Sequence, residues 1–86
     1  MLDYYIVHAK ADCGWCVRAI NALNEAGIDY VLSLLDKAPD YHEDLKNLHE
    51  HTTVPLVLKV SKATGDTVFI GGHDDLIAHL AEQGLC

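Results

Sequence analysis

Two cysteines separated by two residues, Cys13-Gly14-Trp15-Cys16, fall where a strand-like run stops and helical spacing starts, and that junction narrows the folds open to this chain. Before it, Tyr4 to Ala9 is rich in aromatic and branched residues and reads as a strand, passing into polar Lys10, Ala11 and Asp12. After it, apolar residues recur at Cys16, Ile20 and Leu23, and again at Val17 and Ala26, a helical period that Gly27 closes as a C-cap. A disulfide closing so small a ring would contribute only about 2 kcal/mol in the loop-entropy model, so a structural staple is poorly motivated. Redox chemistry or metal binding is the better reading of such a pair in a compartment that keeps thiols reduced. The third cysteine, Cys86, is the last residue and reads as a stray thiol rather than a catalytic one.

The remaining pattern extends the alternation. Tyr30 to Leu35 is a near-continuous apolar run of strand length, which suits a strand covered on both faces. Tyr41, Leu45 and Leu48 mark one face of a helix starting near Pro39. Leu56 to Val60 and Thr67 to Ile70 form two strands around a Thr64-Gly65-Asp66 turn, an antiparallel hairpin. Gly71-Gly72 then interrupts, and Asp74 or Asp75 caps a last helix with Leu76, Ile77, Leu80 and Ala81 on its apolar side, ending at Gly84. The order β-α-β-α-β-β-α needs a right-handed crossover for its first two strands and adds an antiparallel pair. The fold class expected is α/β: one domain over residues 1–86, with a mixed four-stranded sheet and helices on both faces.

A formal charge of −7, with only six basic side chains scattered along the chain, argues against nucleic-acid binding, which needs a field of Lys and Arg. Met1-Leu2-Asp3-Tyr4 lacks the positive start and apolar stretch of a signal peptide, and no run approaches membrane-spanning length. A soluble, cytoplasmic protein with no membrane partner is expected.

The chemistry follows from position. A sulfur at residue 13 sits where free backbone N–H groups and the helix dipole favour an anion. Thiols in such places, with a cation such as Lys10 nearby, titrate at about 3.5 to 7.5 instead of about 8.5, so Cys13 is expected to be a nucleophile at neutral pH. Cys16, three residues on and on the same helical face, is placed to attack a mixed disulfide on Cys13 and release product. The six histidines do not combine with this single pair in a zinc spacing; no metal is expected, and most of the histidines read as surface or helix-end residues.

Three separated motifs, Lys10-x-x-Cys13-x-x-Cys16 followed by Arg18-Ala19, Thr53-Val54-Pro55, and Gly71-Gly72-His73-Asp74-Asp75, resemble those of the dithiol glutaredoxins in order and spacing, and the likeness runs from about Tyr4 to Gln83. The resemblance implies a thioredoxin-like fold and reduction of protein disulfides or glutathione mixed disulfides, with glutathione as co-substrate. It implies a cis Pro55, although a trans proline on an edge strand or turn would also suit the residues alone. It implies that Val54 pairs with the glutathione backbone like an added strand, and that the amides of Asp74 and Asp75 hold its α-carboxylate while the Asp75 side chain meets its α-amine. Both aspartates would cap the helix in either case. Lys10, Trp15, Thr53, Pro55, Gly72 and His73 complete the expected glutathione site. Disulfide-bearing or glutathionylated proteins are the implied partners, ribonucleotide reductase among them by family resemblance only, and a monomer is expected.

The chain departs from many members of that family in three places. Gly14-Trp15 replaces Pro-Tyr between the cysteines, which loosens the first helical turn, while Trp15 keeps an exposed aromatic face over the sulfur. Asp12 puts a carboxylate beside the nucleophile, opposing its ionisation unless it serves as the helix cap. His51 stands near Thr52, where relatives often have a fixed cation, and would grip the glycine carboxylate of glutathione less firmly. Two rival readings exist. One is a carrier holding a [2Fe–2S] cluster between two subunits through Cys13 and glutathione, suggested by Gly14. The other is a thioredoxin-like protein driven by a reductase, against which the segment from Gly71 to Asp75 argues.

Overall fold

A computed structural model of the chain describes residues 3–51 and 53–84; the expectation for Cys86 lies outside them. The elements are β1 (Asp3–Ala9), α1 (Gly14–Glu25), β2 (Tyr30–Leu34), α2 (Pro39–His49), β3 (Leu56–Ser61), β4 (Thr67–Gly71) and α3 (His73–Glu82), in the expected β-α-β-α-β-β-α order. They form a four-stranded sheet ordered β2-β1-β3-β4. β2 runs parallel to β1, with Val7 opposite Leu32, while β3 pairs antiparallel with β1, His8 opposite Leu56, and with β4, Leu58 opposite Phe69. Among the described residues, no helix is long and apolar enough to cross a membrane.

Strand alternation sorts the core into two layers. Tyr5, Val7 and Ala9 of β1 and Val57 of β3 pack with Cys16, Ala19 and Leu23 of α1 and with Leu76 and Leu80 of α3. On the other face Leu56 packs with Leu35 and with Leu45 of α2, flanked by Phe69. Each fully buried aliphatic side chain contributes about 1.5–3 kcal/mol, so the sheet's centre holds both helix layers. α1 ends with Gly27 in the left-handed region at φ 69°, just past the C-cap Ala26, the terminus its glycine announces.

Four expectations are corrected. β2 is not covered on both faces: it is the sheet edge, with Val31 53%, Leu32 45% and Leu34 56% exposed, and the buried residue of that run is Leu35 just beyond it. An apolar run alone does not distinguish a central strand from an edge strand flanked by one neighbour. In α2 the inward stripe is His42 and Leu45, while Tyr41 and Leu48 face outward, because the buried stripe lies one position round the helix from the one the apolar residues suggest. His8 and His42 are thus buried rather than surface residues, with His8 ring-to-edge against Tyr41. In α3, Leu76 and Leu80 are buried, whereas Ile77 is partly exposed and Ala81 exposed.

Candidate active site

β1 ends at Ala9, and a short loop returns the chain to the start of α1, where Cys13 is the N-cap in extended conformation. Its sulfur accepts a hydrogen bond from the backbone N–H of Cys16 at 3.2 Å, the role a Ser or Asp oxygen usually plays at a helix start. Asp12, expected as the possible cap, lies exposed on the loop instead; the cysteine occupies the only position from which a side chain reaches the first free N–H groups. No acidic side chain falls in the first turn of α1, so the positive end of its dipole is not offset there. Cys13 and Cys16 are joined as a disulfide with Cα atoms 5.3 Å apart. Cys13 is half-buried and Cys16 only 2% exposed, an asymmetry that leaves a single sulfur open to attack.

Facing this pair, the Val54–Pro55 bond is cis, as the resemblance implies, and the Val54 carbonyl oxygen lies 3.9 Å from Cys13 Sγ. Beside them opens a cavity of about 340 Å³. Trp15 and the segment Thr53, Val54 and Pro55 line one part of it. Gly72, His73, Asp74 and Asp75 line another, together with His51. The fold thus lines one opening with every residue expected to hold glutathione except Lys10, which is exposed in the loop after β1; Cys13 stands beside the opening at Val54, and Cys16 is buried behind it. Lys10 instead lies near enough to His42 for its charge to help hold that imidazole neutral.

The start of α3 is built around Asp75. Its carboxylate accepts from the backbone N–H of Gly72 at 3.2 Å, so Gly72 is the N-cap and Asp75 the N3 residue, neither aspartate being the cap itself. Gly71 has φ 127°, and a Cβ there would collide with that carboxylate, so only glycine lets the strand turn into the helix here. His73 Nδ1 is 3.0 Å from the Asp74 carboxylate, and its ring lies 5.0 Å from that of Trp15. Trp15 is 53% exposed, as expected from its place beside Gly14. His51 Nε2 is hydrogen-bonded to Thr53 Oγ1 at 3.2 Å and rests edge-on against Phe69. Phe69, which also stacks on His49 at 4.4 Å, escaped the sequence reading. Its signal was a lone aromatic in a strand that runs into the site.

The family model for glutaredoxin matches residues 5–60. A glutaredoxin of Pseudomonas aeruginosa is 32% identical over 73 residues, covering 85% of this chain and 80% of that protein. Among solved structures, the dithiolic glutaredoxin 2-C-Grx1 of Trypanosoma brucei brucei superposes with a TM-score of 0.73 at 28% identity, over 96% of this chain and 81% of that one. A buckwheat glutaredoxin–glutathione complex superposes equally well, with a TM-score of 0.73 at 26% identity, over 96% and 72% of the two chains. The mixed four-stranded sheet and the cysteine pair at the start of α1 are common ground with a thioredoxin-like fold.

Proposed function

Since this chain belongs to the glutaredoxin family, we propose that it is a glutathione-dependent thiol–disulfide oxidoreductase in which Cys13 attacks and Cys16 resolves. The observation that carries the reading is the asymmetric pair: a half-buried sulfur that caps a helix and receives an N–H, joined to a fully buried one. The cavity beside it offers a backbone carbonyl at Val54 and a helix start at Gly72, groups suited to an extended peptide with a carboxylate. Glutathione is such a peptide, and the buckwheat relative is described in complex with it.

The steps balance as thiol exchange. The Cys13 thiolate attacks one sulfur of a protein disulfide, and the substrate's other sulfur leaves as a thiolate. Cys16, as thiolate, then attacks the mixed disulfide at Cys13, freeing the second substrate thiolate and forming the Cys13–Cys16 disulfide. Two glutathione molecules reduce that disulfide and are themselves joined as glutathione disulfide. For a glutathionylated substrate, Cys13 takes the glutathionyl sulfur and a second glutathione regenerates the thiol. The protein works, on this reading, in a compartment that keeps thiols reduced.

Mass spectrometry of the Cys16→Ser variant after exposure to glutathione disulfide tests the assignment: one glutathione is expected on Cys13. Label on another residue would overturn the roles. His51 bears on affinity. It lines the cavity, and an imidazole lacks the planar fork of N–H donors with which a guanidinium grips a carboxylate. His51→Arg is expected to lower the apparent KM for a glutathionylated substrate about two- to fivefold, the worth of one partly exposed ion pair, with kcat little changed. Steady-state kinetics of the two proteins checks it, and an unchanged KM would count against that role.

A further inference from the structure

A second opening, of about 270 Å³, lies on the outer side of α1 and is lined by Gly14, Trp15 and Arg18. Trp15 therefore borders both this pocket and the cavity described above. The Arg18 guanidinium lies over its ring, 4.6 Å from the centroid, a cation–π contact that holds the charge beside the indole. Among the described residues, no carboxylate lines this second pocket.

Of the three basic side chains without an ion pair among the described residues, Lys10, Arg18 and Lys37, Arg18 alone lines either of these openings. Of the six basic side chains, Lys46, Lys59 and Lys62 are tied to Glu43, Asp3 and Asp29. Among the described residues, Arg18 makes no ion pair, although the chain carries thirteen acidic residues. One residue separates it from Cys16 within the helix, so one turn of α1 carries a cysteine of the redox pair, the exposed indole and a guanidinium with no ion pair among the described residues. Val17, 52% exposed, adds apolar surface next to it.

We propose that this pocket holds the polypeptide side of the disulfide partner and selects acidic residues flanking its cysteine. The inference rests on the activity proposed above. As Cys13 takes the sulfur of a glutathionyl half seated in the Trp15–Asp75 cavity, the substrate's cysteine leaves that same sulfur as a thiolate, and its polypeptide lies across the start of α1, where Trp15 and Arg18 offer an aromatic face and a planar fork of N–H donors for a carboxylate.

The test uses two S-glutathionylated peptides that differ only in carrying Asp or Lys on either side of the cysteine. A third substrate is the mixed disulfide of glutathione and mercaptoethanol, whose leaving group is small and neutral. At low salt the natural protein is expected to favour the Asp peptide about two- to fivefold in kcat/KM, with the preference shrinking at high salt. Arg18→Glu should invert the preference and leave the mercaptoethanol substrate unaffected, and Arg18→Lys should keep it. Equal turnover of both peptides, or an equal loss on all three substrates in Arg18→Glu, would overturn the docking role and leave the oxidoreductase activity standing. Absence of turnover on every substrate by the natural protein would remove the activity itself, and the docking role with it.

Discussion

Cys13→Ser is expected to abolish reduction of both protein disulfides and glutathione mixed disulfides, lowering kcat/KM by about a thousandfold or more, since a serine hydroxyl is not ionised at neutral pH and no other sulfur is exposed at the start of α1. Cys16→Ser separates the two substrate classes. Its resolving role is needed only where the substrate's second cysteine must be released, so protein disulfides should turn over at least about a hundredfold more slowly, while glutathionylated substrates lose less than about tenfold because free glutathione performs the second step. A coupled assay on both variants with both substrates checks the pattern. Equal loss on both substrates in Cys16→Ser would contradict the division of labour.

The second large effect concerns stability in acid. His8 and His42 are buried, and His8 Nδ1 and His42 Nε2 have no hydrogen-bond partner among the described residues. Burial, reinforced by the charge of His49, pushes His8 below its ordinary value of 6.5. Burial pushes His42 down as well, helped by Lys46 and Lys10 and opposed by Glu43. His79, hydrogen-bonded to the Tyr5 hydroxyl at 3.0 Å, is lowered chiefly by burial and then by Lys59, with Glu82 opposing. The unfolded chain therefore binds protons that the folded chain refuses, so stability is whole above about pH 6.5 and falls as the pH drops below it. The two buried rings act in the same direction, so both add to the fall in stability as the pH drops below about 6.5. The urea midpoint should fall accordingly, and His42→Leu should flatten the dependence by about one proton. A midpoint constant over that range would contradict the neutral, buried state of these rings.

Most of the fold was legible because its signals are local. The Cys13 junction, the Thr64-Gly65-Asp66 turn and Gly27 each mark a boundary through backbone chemistry that needs no tertiary partner. What escaped depends on neighbours. Whether the apolar run from Tyr30 is central or marginal is decided by sheet order, and β1 and β3 took the covered places. His8 and His42 read as polar from the sequence, yet they fill core positions because a neutral imidazole tolerates burial beside Leu56, Tyr41 and Leu45 far better than a charged one.

The motifs meet for a different reason: Trp15, Thr53-Val54-Pro55 and Gly72 to Asp75 lie far apart in the chain, and the parallel crossover and the hairpin bring them to one opening, with Cys13 beside it at Val54. Lys10 failed to join them because the loop after β1 turns toward α2, its Ala11 N–H held by the Asp36 carboxylate at 2.9 Å. The role of Asp75 differed in detail from the expectation of a simple cap, since a carboxylate at N3 reaches back to the Gly72 N–H when the cap has no side chain of its own.

Alkylation of the reduced protein followed against pH bears most directly on the central claim, that the start of α1 keeps the Cys13 sulfur ionised and reachable. Using Cys16→Ser, so that only one active-site sulfur reacts, the rate with iodoacetamide is expected to have levelled off by neutral pH. A rate still climbing toward about pH 8.5, as for an ordinary exposed thiol, would contradict it.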